Sequence, residues 1–144
     1  MTTFLLDVNV LIALLDPAHV HHDAAHEWFG ANGHKAWATC PLTENGVLRI
    51  VGHARYPNSA GTPSAVMALM ATLRTLPGHV FWPDDISLMD AERIDASRLL
   101  TSAQVTDSYL LALACRHDAK LATLDRRLVA DAVRGGAKHL HVIC

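Results

Sequence analysis

The chain predicts an α/β fold, a three-layer α/β/α sandwich with a central parallel sheet of four to five strands, built from residues 1–144 as one domain. Three observations carry this expectation. Short apolar runs of strand length alternate with longer segments whose apolar residues recur at helical spacing. The short runs are apolar at nearly every position, the pattern of strands covered on both faces. Finally, acidic residues recur just after strand-like runs or in the helices that follow, where an open parallel sheet gathers its ligand-binding loops.

Each element has a local reason. Phe4, Leu5 and Leu6 form a buried strand, and residues 8–15 turn to helical spacing until Asp16 and Pro17 stop them. Asp23 is a good N-cap for a second helix that runs to Gly33, with Ala25, Trp28 and Phe29 inward. Residues 36–39 read as the second strand, and Pro41 opens a helix carrying Glu44, Val47, Leu48 and Val51. Residues 56–61 are dense in turn formers and predict a loop. Thr62 before Pro63 is a strong helix start, with Val66, Leu69, Met70 and Leu73 as its apolar stripe and Pro77 and Gly78 beyond its end. Val80, Phe81 and Trp82 predict a third strand, residues 94–100 a short helix, and Thr106 an N-cap for a helix over 107–116. Residues 121–124 predict a strand, 126–133 a helix stopped by Gly135 and Gly136, and 140–143 the last strand.

Composition removes several classes of function. At 144 residues, with 51% hydrophobic and 18% charged side chains, the chain can bury a core without disulfides and is not a disordered segment. No apolar stretch approaches the roughly 20 residues that span a bilayer, and no basic leader with a small-residue cleavage site is seen. Cys40, Cys115 and Cys144 are odd in number and far apart, as expected of reduced thiols in a cytoplasmic protein. A formal net charge of -2 lacks the basic footprint of a nucleic-acid binder. If four carboxylates are committed to cations, however, the remaining charges nearly balance. Arg49, Arg55, Lys120, Arg126 and Arg127 all lie near those acids in sequence.

The four acids are Asp7, Glu44, Asp107 and Asp125. Carboxylates and water are the ligands that hard divalent cations select, and magnesium takes only a few carboxylates while keeping several waters. Crowding four acids without a cation is costly, because like charges raise one another's pKa, and a bound divalent ion reverses that cost. Such a site suits phosphodiester hydrolysis without a protein nucleophile. Each acid also has a plainer reading. Asp7 could be a strand-end turn residue, Glu44 and Asp107 helix-start acids favoured by the dipole, and Asp125 the start of a helix.

Asp7-Val8-Asn9 after a buried strand, Thr43-Glu44 at a helix start, Thr106-Asp107, and Thr123-Leu124-Asp125 together resemble the acidic quartet of the PIN-domain ribonucleases, in particular their VapC toxin branch. The resemblance spans essentially the whole chain. It implies a PIN-like fold and a divalent-metal-dependent endoribonuclease toxin of a type II toxin-antitoxin module. Asp7, Glu44, Asp107 and Asp125 would bind Mg2+, or Mn2+, and catalyse; Asn9 and Thr123 would support the carboxylates by hydrogen bonds. RNA is the implied substrate. A cognate VapB-type antitoxin, whose C-terminal segment lies across the active groove, is the implied partner, and the chain would be a homodimer.

Alternatives are a stand-alone PIN-domain RNA-processing nuclease, or a catalytically inactive PIN-like binding module. An intact acidic set argues against the latter. A phosphoryl-transfer enzyme with an aspartyl nucleophile would want a second acid at position 9, which is Asn. His19, His21, His22 and His26 could imitate a zinc site, but they lack a further ligand at a recognisable spacing and read as solvated loop histidines. Trp28, Trp37 and Trp82 fall within apolar runs and are expected in the core.

Overall fold

A computed structural model describes residues 1–143, so the expectation of a reduced thiol at Cys144 lies outside the described residues. Five parallel strands form the sheet: β1 (Phe4–Leu6), β2 (Trp37–Thr39), β3 (His79–Phe81), β4 (Lys120–Thr123) and β5 (Leu140–Val142), in the order β3-β2-β1-β4-β5. The chain winds outward from β1 through β2 to β3, then returns to add β4 and β5 on the other side. The direction therefore reverses between β1 and β4, which pair in register from Phe4 with Lys120 to Leu6 with Ala122. In an open α/β sheet that reversal leaves a crevice beyond the strand ends, where ligands bind.

The alternation of side chains along each strand splits the core in two. Leu6, Trp37 and Ala122 face one side, packed on α1 (Val8–Leu15), α2 (His22–Ala31), α3 (Pro41–Val51) and α4 (Pro63–Arg74). Leu5, Ala38 and Leu121 face the other, against α5 (Gln104–Arg116) and Trp82, Ile94, Leu128 and Val133. Both inner strand faces are closed to water, which accounts for their unbroken apolar sequence. Trp28, Trp37 and Trp82 are buried as expected.

Three helix starts have visible causes. The Asp7 side chain accepts the Val8 amide and begins α1. Thr43 accepts the Cys40 amide at the start of α3, where Pro41 fills the first helical position. Thr62 caps α4 through the Ala65 amide.

Other boundaries depart from the expectation. Helix α2 begins at His22 rather than after Asp23, which sits in its first turn. Helix α5 begins at Gln104, so Thr106 lies within it and does not cap it. The Gln104 side chain accepts the amides of Leu100 and Thr101, fastening the approach to this helix.

Two predicted helices do not form. Ile94 makes an antiparallel bridge with Val133, and the Asp95 and Arg134 amides donate to Ala132 O and Arg93 O. That isolated bridge, with turns on both segments, takes the place of continuous helical hydrogen bonds. Only a 3-10 turn, Ala96–Arg98, remains of the helix expected over 94–100, and none of the helix expected over 126–133. Gly135, at φ 70°, leads into a 3-10 turn, Gly136–His139, and does not end a helix.

The histidine segment is also corrected. His22 and His26 lie on one face of α2, their rings 4.3 Å apart. The His22 Nδ1 donates to Ala13 O at 2.7 Å and the His26 Nε2 to Leu14 O at 2.8 Å. A carbonyl only accepts, so each of these ring nitrogens carries its proton. Both side chains thus satisfy carbonyls in the last turn of α1 and tie α2 to it.

Candidate active site

Asp7 and Asp125 meet because β1 and β4 are neighbours and both acids follow their strands. Asp7 is nearly buried, at 7% exposure, and both of its oxygens are held. Oδ1 accepts the Val8 amide at 2.7 Å and Oδ2 accepts the Thr123 hydroxyl at 2.7 Å. Burial is the largest influence on its pKa and raises it; the two hydrogen bonds lower it and the Asp125 charge raises it again, with a net rise.

Thr123, fully buried at the end of β4, uses its whole bonding capacity. Its hydroxyl donates to Asp7 and accepts the Asn9 Nδ2 and the Asp125 amide, each at 3.1 Å. Asn9 completes the bracket by accepting the Leu124 amide through Oδ1 at 3.1 Å. Thr123 thus bonds the Asp7 carboxylate directly, while Asn9 touches no acid and reaches Asp7 only through Thr123, in a hydrogen-bonded unit joining the ends of β1 and β4. Asp125 is exposed beyond it, one oxygen accepting the Arg127 amide at 2.8 Å.

Asp107, in the first turn of α5, faces these two acids across a cavity of about 360 Å³. Its wall includes Asp7, Asn9, Leu42, Gly46, Arg49, Asp107 and Asp125. The carboxyl of Asp107 is pushed up to about 6, first by burial and then by the charges of Asp7 and Asp125. Three of the four predicted acids therefore share one pocket and sense one another. Among the described residues, no three His, Cys, Asp or Glu side chains gather at a single ligand point. The acids are ranged around the cavity instead.

Glu44 is elsewhere. A helix turns about 100° per residue, so the face of α3 that supplies Leu42, Gly46, Arg49 and Ile50 to the cavity puts Glu44 on the opposite side. There it accepts the Thr39 hydroxyl at 2.7 Å and pairs with Arg74 of α4 at 3.4 Å. Because the Thr39 proton is given to this carboxylate, the His79 Nε2 donates to the Thr39 oxygen, at 2.7 Å. The structure thus ties Glu44 to the join between α3, α4 and the sheet edge, outside the wall of the acidic cavity.

The basic residues divide in the same way. Arg49 lines the acidic cavity, and Arg126 and Arg127 line an adjoining one. Lys120 begins β4 and therefore stands at the opposite end of the sheet, and Arg55 sits in the turn after α3, outside the cavity wall. Sequence proximity to an acid misled for Lys120 because a parallel strand separates its two ends in space.

Residues 4–133 match the family model of the PIN domain. The chain is 42% identical over 134 residues to a protein named Ribonuclease VapC44 of Mycobacterium tuberculosis, covering 93% of this chain and 94% of that one. It is 43% identical over 133 residues to Ribonuclease VapC39 of the same species, covering 92% and 96%. Among solved structures, a toxin-antitoxin complex from Klebsiella pneumoniae matches with a TM-score of 0.61 at 21% identity, over 97% of each chain. Mycobacterium tuberculosis VapC20, described as a Sarcin-Ricin loop cleaving toxin, matches with a TM-score of 0.60 at 10% identity, over 88% of this chain and 97% of that one. At these identities the two structural matches speak for the fold alone.

Proposed function

Because this chain belongs to the PIN-domain family, with VapC ribonucleases among its relatives, we propose that it is a divalent-metal-dependent endoribonuclease, the toxin of a type II toxin-antitoxin pair neutralised by a cognate VapB-type antitoxin. The observation that carries the reading is the pocket of Asp7, Asp107 and Asp125 at the point where the strand order reverses. Carboxylates that raise one another's pKa form a site in want of positive charge, and the oxygen-only donor set fits a hard cation. Magnesium takes only a few carboxylates and keeps several of its waters.

Asp7, Asp107 and Asp125 would hold Mg2+ or Mn2+, which supplies Lewis-acid activation of the phosphodiester and charge neutralisation for the leaving oxygen. The chain's own contribution is placement. Thr123 and the Val8 amide fix the Asp7 carboxylate in one orientation, and Asn9 fixes Thr123. Arg49 reaches the same cavity and is placed to bind phosphate oxygens. Glu44, joined to Thr39 and Arg74, holds the α3 face that presents Arg49. The same reading assigns the protein to the cytoplasm as a homodimer. The free thiols of Cys40 and Cys115 are in keeping with the first. No helix among the described residues is long and apolar enough to cross a membrane.

The test is to map RNA ends after brief expression of the chain and of its Asp107→Asn form, and to repeat cleavage with purified protein, with Mg2+ or Mn2+ and with chelator. New RNA ends should require both Asp107 and the ion. Equal cleavage by the variant, or cleavage unaffected by chelator, would refute the reading.

A further inference from the structure

Beside the acidic pocket lies a second cavity of about 400 Å³, lined by His21, Leu124, Asp125, Arg126, Arg127 and Ile143. Asp125 lines both, so the two cavities share one wall. We infer that this basic cavity is an RNA backbone subsite, holding the phosphate and ribose of the nucleotide next to the one cleaved. The inference rests on the ribonuclease reading above and adds to it the place where the strand is gripped.

Charge gives the first argument. An RNA strand must be brought against three carboxylates by a chain whose formal net charge is -2, so the overall field offers it no attraction. Attraction has to be local. Arg127, next to the acidic pocket, supplies it, and a guanidinium presents a planar fork of donors suited to phosphate oxygens.

Geometry gives the second argument. The turn that carries the arginines is not loose: the Asp125 amide donates to Thr123 at 3.1 Å and the Arg127 amide to Asp125 Oδ1 at 2.8 Å. The backbone of residues 125–127 is therefore anchored to the same hydroxyl that orients Asp7. A grip built on this turn keeps a fixed relation to the cleavage point. The lining is also mixed, with Leu124 and buried Ile143 offering apolar surface beside the polar tips of His21 and the arginines. A ribose with its phosphate has that same mixture of surfaces.

Repetition favours RNA as the ligand. RNA carries a charge at every nucleotide, so a strand with one phosphate over Asp125 presents the next one to the basic cavity. An acidic peptide could satisfy the arginines too, and the antitoxin measurement below separates the two.

The experiment measures binding of a short, mixed-sequence single-stranded RNA by fluorescence anisotropy across a salt series, in the Asp107→Asn background so that nothing is cut. Arg127→Ala should weaken binding roughly 5- to 20-fold at low salt and make the slope of log affinity against log salt shallower by about 0.7, the release expected for one lost single-strand phosphate contact. Arg127→Lys should restore most of the slope. In the otherwise unaltered chain, Arg127→Ala should raise KM for RNA more than it lowers kcat. Circular dichroism melting of each variant provides the folding control. Affinity and slope unchanged in Arg127→Ala would overturn the inference, as would a parent that shows no salt-dependent RNA binding. So would Arg127→Ala losing purified antitoxin while keeping RNA, which would give the cavity to the protein partner. If the wild type cleaves no RNA, the ribonuclease reading fails by itself, and the salt slope still reports on the cavity.

Discussion

Replacing Asp107 by Asn should make the protein more stable at neutral pH while abolishing its cleavage. The cause is the cost of keeping that carboxylate ionised. Its pKa stands at about 6 against an ordinary 3.8, raised by burial and by the charges of Asp7 and Asp125. At roughly 1.4 kcal/mol per pH unit, that interval sets an upper bound of about 3 kcal/mol. Asp107 is half-buried and water still screens its charge, so the cost is nearer to about 1 kcal/mol.

The sign follows from proton linkage. A carboxyl whose pKa is higher folded than unfolded holds its proton more tightly in the folded state, so its cost is absent below about pH 4 and complete above about pH 6. Asn preserves the shape and cannot titrate. The measurement is urea unfolding of both proteins in chelator across that range. The variant should match the parent at the acidic end and exceed it by about 1 kcal/mol at neutral pH, or roughly 2–4 °C in Tm. Added Mg2+ should stabilise the parent more than the variant, since binding to the folded state alone shifts stability by mass action. A variant less stable than the parent above pH 6, or a difference that does not change with pH, would refute the electrostatic account.

Other outcomes follow from particular contacts. Thr123→Val leaves the buried Asp7 oxygen and two donors without their partner; it should cost about 1–3 kcal/mol and lower cleavage, read by denaturation and by RNA cleavage at saturating metal. Tyr56→Phe removes a donor to Asp16, whose pKa burial would raise but which Tyr56, Asn58 and the Ala18 amide together hold below its ordinary value. That stabilisation is present at neutral pH and is lost as pH falls below about 4, so parent and variant should converge in acid titrations of stability. The double change His22→Ala and His26→Ala uncovers two α1 carbonyls and should cost about 1–3 kcal/mol. Cleavage should persist, and metal analysis of the wild type should find no stoichiometric zinc; loss of folding together with bound zinc would instead indicate a structural metal site.

What was legible in the sequence was local. The strands and helices α1, α3 and α4 announced themselves because apolar spacing, Pro41, Pro63 and the Thr62 cap act within a few residues of where they stand. Asp7 and Asp125 were legible as a pair because a parallel sheet brings its strand ends together, and Asp107 joins them from the first turn of α5. The helices expected over 94–100 and 126–133 failed for the opposite reason. Leu128, Ala132 and Val133 have helical spacing, yet Val133 pairs with Ile94, a partner that no window around either residue contains. Glu44 shows a finer limit. Its helix was placed correctly, but its direction around α3 depends on which face packs, and small Gly46 against Val8 of α1 decides that. The roles of His22 and His26 as carbonyl donors had a faint signal, two histidines at helical spacing shortly after a helix stop. Their partners are nevertheless visible only in space.

The hydroxyl that orients Asp7 comes from a residue 116 positions further along the chain. No amino-terminal fragment that stops before β4 can contain the acidic pocket, however much of β1, β2 and β3 it has already formed. During synthesis the first seven residues emerge early and wait for nearly the whole chain before the pocket can close around Asp7. The topology thus carries a delay: Asp7 and Asp125 cannot act together until β4 takes its place beside β1.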